Sequence, residues 1–160
     1  MHQTWLILGA TSSMARAFVR QLAERGDGII LAGRDVPDMD ATAKDARVRG
    51  ARIADVIPFD ARDPSGFATL IDQMTAQEGT LNAAVFVGSM PPQAELDAAP
   101  EGIDGVIRDS FTGPAHVLQL LAPELEARGG GTIVGVGSVA GDRGRIGNYV
   151  YGAAKAGFHT

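Results

Sequence analysis

The sequence predicts a doubly wound parallel α/β sheet, and three observations point to it. Five short apolar runs alternate with helical stretches of ten or more residues, with no internal repeat or linker between them. The runs lack the polar–apolar alternation of half-exposed strands, so they belong in a sheet covered on both faces. The first run feeds a small-residue turn, Gly9-Ala-Thr-Ser-Ser13-Met-Ala15, that opens a helix. Such a turn can present free helix N-terminal N–H groups to a pyrophosphate.

Thr4 to Leu8 is the first strand. The helix after the turn carries Met14, Phe18 and Leu22 on one face, with Ala15 and Val19 beside them, and ends at Gly26. A glycine-rich dinucleotide loop of the form Gly-x-x-x-Gly-x-Gly has here become Gly9, Ser13 and Ala15. Alanine suits the last position, which needs only close helix–strand packing. Ser13 adds a side chain where backbone approaches phosphate, either crowding a nucleotide or holding it through the hydroxyl. Taken alone, the loop reads equally well as a plain strand-to-helix turn. Gly28 to Gly33 is the second strand and ends in Arg34-Asp35. An acidic residue at this tip takes the ribose hydroxyls of NAD, whereas an arginine after a small residue pairs with the extra phosphate of NADP. Gly33-Arg34 therefore favours NADP(H) over NAD(H); a solvated arginine, and Asp35 as an NAD ligand, are the alternatives.

Ala41 to Gly50 is a polar, alanine-rich helix with Asp38, Asp40 or Thr42 available near its start. Arg52 to Phe59 is the third strand and delivers Asp60 to a strand end, as an acceptor for an adenine amino group or as a plain loop acid. Asp63-Pro64 starts a helix that runs to about Glu78, with Phe67, Leu70, Ile71 and Met74 inward. Leu81 to Val87 is the fourth strand, followed by Gly88-Ser89. Ligands of such sheets bind beyond the strand C-terminal ends where the strand order reverses, here between the first and fourth strands. Met90 to Pro100 reads as an irregular connection. From Glu101 a long helix presents Ile103, Val106, Ile107, Phe111, Val117, Leu118, Leu121 and Leu125 to the core, bends at Pro114 and turns Ser110 toward the sheet. Gly129 to Gly131 lead into the fifth strand, Thr132 to Gly137, which ends at Ser138.

Thirteen positions after Ser138, Tyr151 opens a helical stretch in which Lys155 follows four residues later, so the two share a face. A phenol near its free pKa of about 10 is a poor acid and a worse base at neutral pH, and a fixed positive charge beside it favours the phenolate. Ser138 would hold a carbonyl oxygen within reach. The same Tyr-x-x-x-Lys spacing also arises by chance in helices, so its weight depends on the nucleotide-like opening of the chain.

Composition excludes several functions. The 160 residues are 45% apolar, enough for the core of one domain. Fourteen basic against nineteen acidic residues give a net charge of -5 without basic clusters, which argues against a nucleic-acid partner. The sequence has no cysteine, which excludes disulfides, thiol catalysis and thiolate metal sites. His2, His116 and His159 are far apart in sequence, so no metal is expected. The chain shows neither a signal peptide at its start nor an apolar run long enough to span a bilayer, and it reads as cytoplasmic with no membrane partner.

Gly9-Ala-Thr-Ser-Ser-Met-Ala, Asp60, Ser138-Val-Ala-Gly and Tyr151-Gly-Ala-Ala-Lys155, in this order and spacing, resemble the short-chain dehydrogenase/reductase family over the whole chain. The resemblance implies a single Rossmann-type dinucleotide-binding domain over 1–160. It also implies an oxidoreductase that moves a hydride between NADP(H) and a small-molecule carbonyl/alcohol substrate. Tyr151 would be the general acid/base and would share the cofactor's surroundings with Lys155. Lys155 would hold the nicotinamide ribose and lower the tyrosine pKa, and Ser138 would orient the substrate oxygen. Thr11, Ser12, Ser13 and Met14 would surround the phosphates and adjoining ribose, Arg34 the adenosine ribose phosphate, Asp60 and Ala61 the adenine, and Val87-Gly88 the cofactor ribose.

The sequence departs from the family pattern at two sites. Phe86-Val87-Gly88-Ser89 stands for Asn-Asn-Ala-Gly, and Ser110 stands for the catalytic helix asparagine that holds a water in the proton relay, where its shorter hydroxyl would hold the same water or give a slower relay. These departures keep a non-catalytic NADP(H)-binding protein as an alternative; an epimerase or dehydratase using the same Tyr–Lys pair is another. Tyr149 has no lysine four residues on. Members of the family continue past the equivalent of Thr160 with further strands, so the resemblance implies a longer protein that forms homodimers or homotetramers. Arg143 and Arg145 hint at an anionic substrate, with solvated loop arginines as the simpler account.

Overall fold

The computed structural model describes residues 2–160. Its centre is one parallel sheet of β1 (Gln3–Leu8), β2 (Gly28–Gly33), β3 (Ile53–Pro58), β4 (Thr80–Val85) and β5 (Ile133–Gly135), in the order β3-β2-β1-β4-β5. Every pairing is parallel. The apolar runs build this sheet because successive side chains enter opposite faces. From β1, Leu6 and Leu8 join one core with Ile30, Phe67, Leu70, Val117 and Leu121. Trp5 and Ile7 join the other, with Ile29, Leu31, Val19, Leu22 and Met39. Both faces of the central strands β1, β2 and β4 exclude water, as the missing alternation requires, whereas the outer strands β3 and β5 keep exposed residues.

Helices α1 (Ser13–Glu24), α2 (Val36–Arg49) and α3 (Phe67–Thr75) border this sheet. The first buries Ala15, Val19, Leu22 and Ala23, while Met14 is 58% exposed rather than on the buried face. Helix α2 begins five residues earlier than Ala41, because the Asp35 side chain accepts from Asp38 N at 3.1 Å and Pro37 fits a first turn that needs no donor. It ends at Gly50, whose φ of 112° is left-handed. Asp63 caps a single 3-10 turn, Pro64–Gly66, that leads into α3.

The connection after β4 is partly helical, since it contains α4 (Gln93–Ala98), where Gln93 and Leu96 are buried. The long helix from Glu101 divides into α5 (Gly102–Ile107), a π turn at Arg108–Thr112, and α6 (Gly113–Ala127). The irregularity precedes Pro114 rather than bending the helix at it: the imide cannot donate to the Ser110 carbonyl four residues back, and the preceding turn widens. Ile103 stays exposed, whereas Val106, Val117, Leu121 and Leu125 are buried. Strand β5 is only three residues long, and buried Asn82 of β4 ties its start by accepting from Thr132 N at 2.9 Å. Helix α7 (Tyr149–His159) closes the described chain.

The π turn is fastened to the loop after β3. Arg62 donates twice to Asp109, Nε to Oδ1 at 3.0 Å and a terminal nitrogen to Oδ2 at 2.7 Å. Asp109 is 4% exposed, and Gly113 sits directly on the Ala61 carbonyl. The carboxylate is desolvated while Arg62 keeps part of its side chain in water, so removing the arginine exposes the cost of the buried charge. Arg62→Ala is expected to lose about 2–4 kcal/mol in urea unfolding. The double variant Arg62→Met, Asp109→Leu should recover most of that; an equal loss in both would show that the pair is not what holds the turn.

Candidate active site

The C-terminal ends of the strands meet in one cleft at the reversal between β1 and β4. Gly9, with φ of 78°, makes the first turn; a Cβ there would stand 2.6 Å from Val87 N, so only glycine lets the loop lie against the end of β4. Gly9 N and Ala10 N donate to Ala32 O, which fixes the turn to β2. Ser12 caps α1, its hydroxyl accepting from Ala15 N at 3.1 Å.

Gly9, Thr11 and Ser12 line the cleft from this turn, and Arg34 lines it from the end of β2. Asp60 and Ala61 enter from the end of β3, Val87 and Gly88 from the end of β4. Ser13 and Met14 lie outside this lining, exposed on the first turn of α1. Asp60 is half-buried, its Oδ1 accepting from Arg62 N at 2.9 Å. Asp109 also lines the cleft. It was not singled out from the sequence, where the available signal is one acid within an otherwise apolar helical face.

Lys155 lies beneath the other end of the cleft. It is 3% exposed, and its ammonium donates to Val87 O and Val136 O, both at 3.2 Å, with the Phe158 ring 5.0 Å away. Burial pushes its pKa below the ordinary lysine value. Gly88 stands between this ammonium and Ser110: a Cβ there would lie 3.4 Å from Lys155 Nζ and 3.6 Å from Ser110 Oγ. Ser110 is fully buried in the π turn, accepting from Ser89 N at 3.1 Å and donating to Ser89 O at 3.3 Å. The short Gly88-Ser89 backbone is thus held from both sides. The hydroxyl proton of Ser110 is committed to Ser89, so its side chain is not poised to donate to a relay water.

Ser138 follows β5 and caps the one-turn helix Val139–Gly141, its Oγ accepting from Ala140 N at 3.2 Å. Its backbone N–H donates to His159 Nε2 at 2.9 Å, a contact unsuspected from a histidine that looked isolated in sequence. Small residues then bring α7 onto this turn: a Cβ on Gly152 would meet Ala140 O at 2.6 Å, and one on Gly141 would meet Ala156 N at 2.9 Å. Gly152 of Tyr-Gly-Ala-Ala-Lys, on the helix, and Gly141, on the turn, therefore set how closely the helix of Tyr151 approaches the turn of Ser138. Tyr151 itself is half-buried beside Leu96, Val106 and Val150. Tyr149 is differently placed. Its hydroxyl donates to Asp97 at 2.6 Å, and that carboxylate raises its pKa, the wrong direction for a neutral-pH acid/base. Arg143 and Arg145 are exposed. Among the described residues no group of three His, Cys, Asp or Glu side chains is placed to hold a metal, and no helix is long and apolar enough to cross a membrane.

Known proteins share this arrangement. Residues 3–160 match the family model described as short chain dehydrogenase. An uncharacterized oxidoreductase of Myxococcus xanthus is 30% identical over 156 residues, covering 97% of this chain and 61% of its own length. A sulfoacetaldehyde reductase of Chromohalobacter salexigens is 32% identical over 155 residues, covering 94% and 60%. A solved structure of a short-chain dehydrogenase from Sphingobium yanoikuyae in complex with NADPH superposes with a TM-score of 0.86 at 26% identity, over 98% of this chain and 61% of that one. The chain thus spans about three fifths of the length of these relatives. With the family match running through the cleft, the Ser138 turn and the Tyr151 helix, this chain belongs to the short-chain dehydrogenase family.

Proposed function

We propose that the protein is an NADP(H)-dependent oxidoreductase that interconverts a carbonyl and an alcohol, with Tyr151 as general acid/base. The observation that carries this reading is the glycine-mediated contact of α7 with the Ser138 turn above a buried Lys155. In the relative from Sphingobium yanoikuyae, NADPH is the bound nucleotide.

The cleft residues fit such a cofactor. The N-terminal N–H groups of α1, together with Gly9, Thr11 and Ser12, would face the pyrophosphate, with Ser13 and Met14 bordering it. Exposed Arg34 would pair with the ribose phosphate, Asp60 and Ala61 would meet the adenine, and Val87-Gly88 would run along the second ribose. When bound, the nicotinamide supplies or accepts the hydride. In the reducing direction Tyr151 gives its phenolic proton to the substrate oxygen. Ser138 Oγ accepts from Ala140 N and keeps its own hydrogen to donate to the same oxygen. In this reading the nearly dry ammonium of Lys155, four residues along the same helix, would favour the phenolate over the phenol. Two carbonyl oxygens hold that charge in place.

A second reading, NADP(H) binding without turnover, is favoured by the committed hydroxyl of Ser110. It would give saturable NADPH binding and no carbonyl-dependent oxidation, and one good substrate would defeat it.

In the full-length protein, Tyr151→Phe is expected to lower kcat about 10²–10⁴-fold with NADPH affinity unchanged; parent-like turnover would refute the role given to the phenol. Arg34→Ala should weaken NADPH binding about tenfold or more while barely moving NADH, since only the former has the phosphate for a charge-assisted pair. Titration of both nucleotides checks this, and equal losses would remove Arg34 from the phosphate.

A further inference from the structure

The start of α7 is capped from outside its own segment. Asn148, the residue before the helix, gives no side-chain bond to the free N–H groups of the first turn. Val150 N instead donates to Gln93 Oε1 at 3.2 Å, across 57 residues of sequence and out of contact with water. Gln93 opens α4 and is 5% exposed. Its amide nitrogen donates to Asp97 Oδ1 at 3.1 Å, one turn along the same helix, and that oxygen also accepts from the Tyr149 hydroxyl at 2.6 Å.

This chain of bonds has one consistent orientation. A carboxylate only accepts, so the nitrogen of Gln93 must face Asp97 and its oxygen must face the Val150 N–H. Asp97 is held below the usual carboxylate range by the Tyr149 hydroxyl first and the Gln93 amide second, so it stays an acceptor at neutral pH. On the apolar side, Leu96 of α4 packs with Val106 and Val150, and Tyr151 borders the same cluster. Helix α4 therefore grips the first turn of α7 by a polar and an apolar contact, on the residue just before Tyr151.

We propose that Gln93 is a positioning residue for Tyr151: it caps α7 in trans through the Val150 N–H, with Asp97 and Tyr149 fixing the amide's orientation. This rests on the reading of Tyr151 as the acid/base. A phenol on the uncapped end of a helix would wander with that end, and small displacements of a reacting group are costly to rate. Gln93, Asp97 and Tyr149 are not among the residues lining the cleft, so cofactor binding should be indifferent to the clasp.

The test uses the full-length protein with Gln93→Ala, and with the double variant Gln93→Glu, Asp97→Asn. In the latter, position 93 offers only acceptors: the Val150 N–H bond keeps its direction, the bond between positions 93 and 97 is recreated with donor and acceptor exchanged, and the Tyr149 hydroxyl turns to accept from the amide at position 97. Backbone hydrogen exchange in peptides covering 149–152, NADPH affinity, and kcat with a carbonyl substrate are measured together. Gln93→Ala should speed exchange in that segment about fivefold or more and lower kcat about tenfold, with NADPH affinity within about twofold. The double variant should restore both exchange and kcat. Unchanged exchange in Gln93→Ala, or a double variant as impaired as the single one, would overturn the proposal. If the parent turns over no carbonyl, the catalytic reading of Tyr151 fails, while the exchange rates still decide by themselves whether Gln93 caps α7.

Discussion

The close approach of β1 and β4 at the point where the sheet order reverses is the constraint on which the rest of the molecule depends. There the Gly9 turn lies so near the end of β4 that a single methyl would strike the Val87 nitrogen at 2.6 Å. That proximity opens the cleft between loops that run in opposite directions away from the sheet. It also places the α1 N-terminus, with its uncompensated N–H groups, next to Val87 and Gly88. A side chain at position 9 would have to push the strand end aside, and the Lys155 bond to the Val87 carbonyl would move with it.

Three contacts stand where the family's pattern has been altered. The segment after β4, Phe86-Val87-Gly88-Ser89, carries no side-chain amide. Ser110 grips Ser89 through both backbone groups, and Lys155 holds Val87 from the far side. The Arg62–Asp109 pair anchors the π turn that carries Ser110 to the loop that carries Asp60 and Ala61. Cleft floor and strand end therefore form one connected network, in which each buried polar group has a partner and the desolvation of Lys155 and Asp109 is offset by bonds of fixed geometry.

Proximity of glycine and alanine to backbone governs the other half of the site. Gly152 against Ala140, and Gly141 against Ala156, let α7 settle on the Ser138 turn at a distance larger residues would forbid. The helix that results starts without a cap of its own and takes one from α4. Tyr149 and Tyr151 are two residues apart on that helix yet differently placed: the hydroxyl of one is bonded to a carboxylate that raises its pKa, while the other borders the apolar cluster of Leu96, Val106 and Val150.

Much of this was legible in the order of residues because it depends on local chemistry. Period and composition gave five strands and their covered faces; Gly9, Arg34, Asp60, Ser138 and the Tyr151–Lys155 spacing named the candidate site. Met14 was misread because a face inferred from spacing alone cannot show where the sheet ends. The helix start at Val36 was missed because Asp35 and Pro37 act as a cap only once the chain turns there. His159 and Gln93 carried no local signal, and Asp109 only that of an acid within an apolar helical face, since each matters through a partner 21, 57 or 47 residues away. By itself, then, the sequence determined the five parallel strands, the helices between the first four of them and the family to which the chain belongs, because hydrophobic period and turn chemistry act between near neighbours. Only the tertiary structure decided which hydroxyls are already spent, which charges are buried in pairs and what holds the first turn of α7, because those depend on distances between segments that meet only when the sheet has closed.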